Sequence, residues 1–168
     1  MPDPSLLIGD VNVIGTLSVN GVDVTTGVTA GEHVARALLA VVGVSPTDSG
    51  VVGGAAWLKV EAQSSPNLTV KISSGAVYIA GVLTSSAAVA SLTGFAAPAT
   101  NPRIDIVQIS TAGVISRKAG TENASPSAPS PDANNFKLAE VYNRVGQTSV
   151  RDTDDASNGY ITNNGAHI

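Results

Sequence analysis

The chain has 168 residues, 43% hydrophobic and only 13% charged, with a net charge of −4 and no cysteine. That length suits one domain plus an extension, and the acidic balance argues against a nucleic-acid backbone as the main partner. Without thiols there is neither a disulfide frame nor a thiolate metal site.

The N-terminus, Met1-Pro2-Asp3-Pro4, has no basic region and no long apolar run, so no secretory signal is expected. From Ile8 onward glycine recurs at Gly9, Gly15, Gly21 and Gly27, a period of six, with apolar and polar residues alternating between. Short strands broken by glycine bends do not bury an apolar face alone, so one reading is a shaft that pairs with copies of itself. In that reading Ile8, Val11, Val13, Ile14, Leu17, Val19, Val22 and Val24 mediate subunit association, most simply in a trimer. The other reading is an ordinary hairpin. Asn20-Gly21 favours a tight turn that sets Val19 opposite Val22 and Leu17 opposite Val24.

Thr29-Ala30-Gly31-Glu32 has the form of a capping box. Val34, Leu38 and Val41 then share a stripe, Ala35, Leu39 and Val42 flank it, and Gly43 is a natural stop. One short helix is therefore expected over about 29–43, with His33 facing solvent near its start.

Ser45 to Gly50 and Gly53-Gly54 are expected as loops. Strands follow at Trp57–Ala62, at Asn67–Ile72 with Leu68, Val70 and Ile72 inward, and at Ala76–Ala80 after a Ser73-Ser74-Gly75 turn. More are expected near 87–92, 104–110, 114–118 and 136–142, with Thr111-Ala112-Gly113 joining two of them. The uncharged run 87–99 is broken by Gly94 and Pro98 and is too short to span a bilayer, so no membrane insertion is expected. The fold class is mainly β: a short-stranded sandwich or rolled sheet at 46–151, after an extended segment at 1–28 and the helix and linker at 29–45.

Asn101-Pro102 initiates a turn, and Arg103 to Ile109 reads as a central strand. One face carries Ile104 and Ile106; the other carries Arg103, Asp105, Val107 and Ile109. An acid among apolar neighbours is costly unless satisfied, so Asn101, Pro102, Arg103 and Asp105 are assigned as a structural brace pinning turn to strand. The donors expected for Asp105 are Arg103 and the backbone of the turn just before it. Residues 121–135, with Pro126, Pro129 and Pro131, form an extended loop that should lie across a neighbour or a surface. The end, 152–168, is polar and rich in Asn, Asp and Gly, and reads as a tail that is floppy alone, with another subunit as one surface against which it would order.

Catalytic templates are missing. There is no Gly-x-Ser-x-Gly elbow, no phosphate-binding glycine loop and no His-Glu-x-x-His, and His33 and His167 stand far apart in sequence. Asp152, Asp154, Asp155, Asn158 and Gly159 do not have EF-hand spacing and read as a solvated acidic turn. No cofactor or metal is expected, and the protein is not expected to be an enzyme. Trp57, Tyr78, Tyr142 and Tyr160 are available to stack on sugar rings.

The order of motifs carries a resemblance. Gly50-Val51-Val52-Gly53-Gly54 leads to Leu58-Lys59-Val60, then to Ser65-Pro66-Asn67-Leu68-Thr69-Val70-Lys71-Ile72 and Gly75-Ala76-Val77-Tyr78-Ile79-Ala80-Gly81. Ala99-Thr100-Asn101-Pro102-Arg103-Ile104-Asp105 follows, then Lys118-Ala119-Gly120-Thr121, the Ser-Pro-rich segment and Leu138-Ala139-Glu140-Val141. From Gly50 to about Arg151 this series resembles the domain of minor tail, tail-fibre and baseplate proteins of tailed bacteriophages. The resemblance implies a virion structural module that assembles with copies of itself and with other virion proteins. The resemblance further implies that such a module extends from or anchors to the particle, with a role in host attachment. A carbohydrate-binding module recognising host surface glycans, and a head fibre or capsid spike base, are the alternatives. No catalytic residue comes with the resemblance.

Overall fold

The computed structural model describes residues 17–19, 22–24 and 49–168, and the chain divides into two units between Pro46 and Thr47. In the first unit β1 (Leu17–Val19) pairs antiparallel with β2 (Val22–Val24). The register sets Leu17 against Val24 and Val19 against Val22, as the Asn20-Gly21 signal predicts. Ile8, Val11, Val13 and Ile14, and the helix expected at 29–43 with His33, lie outside the described residues.

The second unit is mainly β, and among the described residues every regular element is a strand. In chain order these are β3 (Gly50–Val52), β4 (Val60–Ala62), β5 (Val70–Ile72), β6 (Gly75–Ile79), β7 (Val82–Ser86), β8 (Val89–Leu92), β9 (Arg103–Ser110), β10 (Ile115–Lys118), β11 (Asn135–Asn143), β12 (Val150–Arg151) and β13 (Gly159–Asn163). They form three sheets. The largest runs β10-β9-β11-β13-β12, and two three-stranded sheets run β3-β6-β7 and β4-β5-β8.

One face of the large sheet carries Val107 and Ile109 of β9, Leu138, Ala139 and Val141 of β11, and Ile161 of β13. Both small sheets pack on this face. Val51, Val77 and Ile79 come from one, and Val60, Ala62, Val70 and Ile72 from the other, into a single buried cluster that also holds Phe95. The flanks are closed as well: β4 lies beside β12 and β13, and β8 lies beside β10. The result is a rolled sandwich built almost wholly from small β-branched side chains, as the composition dictates.

Several sequence expectations are corrected here. The strand expected at 57–62 begins only at Val60, because Trp57 N–H bonds back to the Gly54 carbonyl and Leu58 takes a left-handed φ of 51° while fully buried. Strand β5 likewise starts at Val70, leaving Leu68 half-buried. After Ser73-Ser74 the chain does not double back on β5. It crosses to the other small sheet, where β6 pairs with β3 and β7. Gly50 to Val52 and Val82 to Ser86, not anticipated as strands, supply those two partners.

The largest correction concerns 152–168. This stretch is not a loose tail but contributes β13, inserted between β11 and β12. Its last residues pair with β3: Val51 N donates to Ala166 O at 2.7 Å and Ile168 N donates to Val51 O at 3.0 Å. Polar composition misleads because the alternating face of β13 needs only Gly159 and Ile161 to be buried.

The proline-rich segment 121–135 lies across the other face of β9. Gln108 and Asp132 bind reciprocally, Nε2 donating to Asp132 Oδ2 at 2.6 Å and Oε1 accepting from Asp132 N at 2.9 Å. Asn123 N donates to the Pro102 carbonyl at 3.0 Å, fixing the other end of the segment. Hence Ile106 and Gln108 are buried too, and β9 is covered on both faces rather than one.

Candidate functional site

Three clusters of polar or aromatic side chains stand out on this frame. The first surrounds Asp105, which is fully buried on the core-facing side of β9. Its Oδ1 accepts from Arg103 Nε at 2.9 Å and from Gly120 N at 3.0 Å, and its Oδ2 accepts from Arg117 Nη1 at 2.6 Å. Arg103 lies two residues away on the same strand face, and Arg117 sits opposite Val107 on β10. Arg103 Nη2 also donates to the Ala96 carbonyl at 2.8 Å, and the Arg117 guanidinium lies 5.9 Å from the centre of the Phe95 ring. Two strands, the 94–96 stretch and Gly120 are thus tied to one carboxylate.

The structure therefore joins Arg103 to Asp105 but distributes the rest of the assigned brace differently. The backbone donors of the turn do not reach Asp105. Ala99, Thr100 and Asn101 N–H groups all point at the Glu122 carboxylate, at 2.9, 2.9 and 3.3 Å. These three donors hold the Glu122 carboxyl below its ordinary value. Pro102 contributes its carbonyl to Asn123. Arg117, Gly120 and Glu122 were missed by sequence reasoning. Only the alternation of β10 could have placed Arg117, and nothing local points Glu122 at a turn more than twenty residues away.

This cluster is chemically quiet. All three donors to this carboxylate, two of them guanidinium groups, belong to the fold itself, and the fully buried side chain leaves no open side for a reacting group. Elsewhere the acids are scattered. Asp152 accepts from Ala62 N at 2.8 Å, Asp154 forms a two-pronged pair with Arg144 at 2.7 and 2.8 Å, and Asp155 caps its own turn through Ser157 and Asn158. The Asn158 side chain and the backbone donors of that turn pull Asp155 down to about 2. Among the described residues no group of three or more His, Cys, Asp or Glu converges as a metal-binding set. Nor is any helix among them long and apolar enough to cross a membrane.

The second cluster lies on the outer face of the large sheet. Tyr142 and Tyr160 face each other across β11 and β13, their rings stacked at 5.3 Å. Arg144 covers both, 4.9 Å from one ring centre and 5.5 Å from the other, while held by Asp154. The tyrosine faces are engaged by each other and by the guanidinium.

The third is a small hollow bordered by Trp57, Lys59, Asn163 and His167, with room for about one water molecule. Trp57 is 45% exposed and its ring rests against Gly53, where a Cβ would stand 2.7 Å away. Tyr78 does not join it. It sits on the outer face of β6 opposite Leu83. The four aromatic residues thus fall in three separate places and line no common groove.

No protein-family model matches this chain, and neither a curated protein nor a solved structure matches it.

Proposed function

We propose that this chain is a structural component of a tailed-bacteriophage particle, a fibre, spike or baseplate-appendage protein that works by packing and strand pairing rather than by catalysis. What carries the reading is how the ionisable groups are used. Asp105, Glu122, Asp132 and Asp154 are each bonded to cations or backbone donors of the fold itself, which suits a load-transmitting module better than a reactive cleft. The motif order from Gly50 to Arg151 supports it, as does the division into a glycine-repeat unit and a separate rolled sandwich. Short strands broken by glycine bends, as the period-six repeat from Ile8 to Val24 implies, do not bury an apolar face alone, which supports association with sister copies in a trimer.

The test is to label purified particles with an antibody to this chain and to measure its mass by light scattering. Label at the tail or at a head vertex, together with a multimeric mass, is the expected result. Absence from particles, with a monomer at micromolar concentration, overturns it.

A second reading, recognition of a host surface glycan, is favoured by one observation: Trp57 is exposed beside Lys59 and His167. It requires glycan-array binding that disappears in Trp57→Ala while the melting temperature stays unchanged.

A further inference from the structure

Among the described residues the proline-rich segment is fastened to the sandwich at its two ends. At the front, Glu122 Oε1 accepts from Ala99 N, and Oε2 accepts from Thr100 N and Asn101 N. Asn123 N donates to the Pro102 carbonyl beside them. At the back, Asp132 Oδ1 accepts from Lys118 Nζ at 2.7 Å and Oδ2 accepts from Gln108 Nε2 at 2.6 Å, while Asp132 N donates to Gln108 Oε1. Between 124 and 131 the one hydrogen bond among the described residues is local, from Ser125 N to Asn123 Oδ1. Pro126, Pro129 and Pro131 have no N–H to donate and are half-buried with Ala128, whereas Ser125, Ser127 and Ser130 are exposed.

What lies beneath the segment is separate from the main core. The fastenings at Pro102 and Gln108 make it run along β9 over Ile104 and Ile106. Ile106 is fully buried, yet it stands outside the core cluster, which β9 joins through Val107 and Ile109 on its opposite face. Lifting 124–131 therefore uncovers Ile106 and leaves that cluster closed.

Both fastenings depend on a carboxylate whose two oxygens are both in use. A proton on either oxygen sets an O–H where an N–H donor already points. Water reaches both groups, since the Glu122 side chain is 32% exposed and that of Asp132 55%. The surrounding charges offer no substitute. Lys118 is the partner of Asp132 itself, Glu140 flanks Ile106 from β11 and is paired with Lys137, and Arg103, 4.0 Å from Glu122, is bonded to Asp105. Protonation leaves one neutral bond at each end, Asn123 N to the Pro102 carbonyl and Asp132 N to Gln108 Oε1.

We infer that residues 121–135 are an acid-released strap, closed over Ile106 while Glu122 and Asp132 are charged and lifted from β9 when both are protonated, with the sandwich still folded. The closed strap holds both carboxyls below their ordinary 4.5 and 3.8, so it binds fewer protons than the lifted one. Closure is thus complete at neutral pH and is lost as pH falls below those ordinary values. The device goes beyond the reading of the chain as an assembly component and does not rest on it.

The chain has no cysteine, so a single introduced thiol reports on a single place. Ile106→Cys sits under the strap, and Val107→Cys sits in the core on the other face of the same strand. Labelling by a dipyridyl disulfide, which reacts with thiols in acid, is measured on the full chain at about pH 7 and about pH 3. Each rate is divided by that of the same variant in denaturant at the same pH. The Ile106→Cys ratio is expected to rise about tenfold or more in acid, with the Val107→Cys ratio unchanged, as a local opening requires. At neutral pH, Glu122→Gln together with Asp132→Asn is expected to raise the Ile106→Cys ratio likewise. Should Ile106→Cys fail to fold, Ile104→Cys, half-buried in the same strip, takes its place. Equal rises at 106 and 107 show the domain opening as one and overturn the strap. So does a ratio at 106 that acid leaves unchanged, or a rise in acid that the double variant does not reproduce.

Discussion

The carboxamide of Asn163 takes the place of a neighbouring strand for Val60. Its Oδ1 accepts from Val60 N and its Nδ2 donates to Val60 O, both at 2.9 Å. Two residues along, Asp152 accepts from Ala62 N, so two side chains of the C-terminal stretch finish the edge of β4. This is how the large sheet is stitched to the β4-β5-β8 sheet without a continuous ladder. Val60 is fully buried beneath this amide, while Asn163 itself stands exposed at the edge of the sheet.

Removing that amide is expected to cost more than a surface change. Asn163→Ala should lower stability by about 1 kcal/mol, because it removes two hydrogen bonds that close the edge of β4. Asn163→Asp keeps the acceptor but turns a carboxylate oxygen toward the Val60 carbonyl, and should be no milder at neutral pH. Chemical denaturation of the two variants checks both statements.

Asp105 should be the most sensitive side chain in the fold. Asp105→Ala strands two guanidinium groups at the edge of the core and leaves Gly120 N unpaired, an expected loss of about 3–5 kcal/mol. In the Arg117→Met background the same change should cost less, since one of the two cations is then already gone. A double-mutant cycle followed by thermal unfolding measures the difference.

Gly120 is required by space rather than by backbone angle. A Cβ there would stand 2.0 Å from the Ile104 carbonyl oxygen, and a backbone atom does not swing aside as a side chain would. Gly120→Ala should therefore destabilise by about 1–3 kcal/mol through overpacking, and loosen the neighbouring N–H to Asp105 bond. Faster amide hydrogen exchange at Gly120's neighbours, with a lowered melting temperature, is the expected signature.

Stability should fall in acid for a definable reason. Glu122 is held below its ordinary 4.5 by the N–H groups of Ala99, Thr100 and Asn101. Asp155 is held down to about 2 from its ordinary 3.8 by Asn158 and the backbone of its turn. Asp132 is lowered by Lys118 and Gln108. A carboxyl depressed in the folded state binds fewer protons there than in the unfolded chain. Its contribution is thus complete above pH 4.5 and is lost as pH falls toward the folded values. Melting temperatures measured between pH 6 and pH 2 should be level above about 5 and decline below it. Glu122→Gln, which keeps the shape and removes the titrating group, should flatten part of that decline.

The molecule also shows which kinds of inference from sequence are sound. Alternation identified the strands around Val70, Val77, Ile106 and Val141, because period-two patterning reports a sheet face directly. Asn20-Gly21 set the β1–β2 register, and Thr111-Ala112-Gly113 set that of β9 and β10, because a turn's local chemistry fixes its own pairing. The partnership of Arg103 with Asp105 was legible from their spacing on one strand. Cross-chain relationships were not. Glu122 reaches the 99–101 turn, Asn163 reaches Val60 and Asp132 reaches Gln108 across separations that leave no mark on local pattern.

What the sequence by itself determined is the class of structure: small, alternating, β-branched residues with frequent turns have no low-energy arrangement other than short strands around a shared apolar face. What only the tertiary structure decided is which polar side chains close that arrangement. A polar C-terminal stretch becomes β13 because β11 offers an unpaired edge, and an isolated Asn becomes a strand substitute because the Val60 N–H and C=O face it across the edge of β4. Such choices depend on which backbone groups are left unsatisfied after the strands have met, and that remainder exists only once the chain is folded.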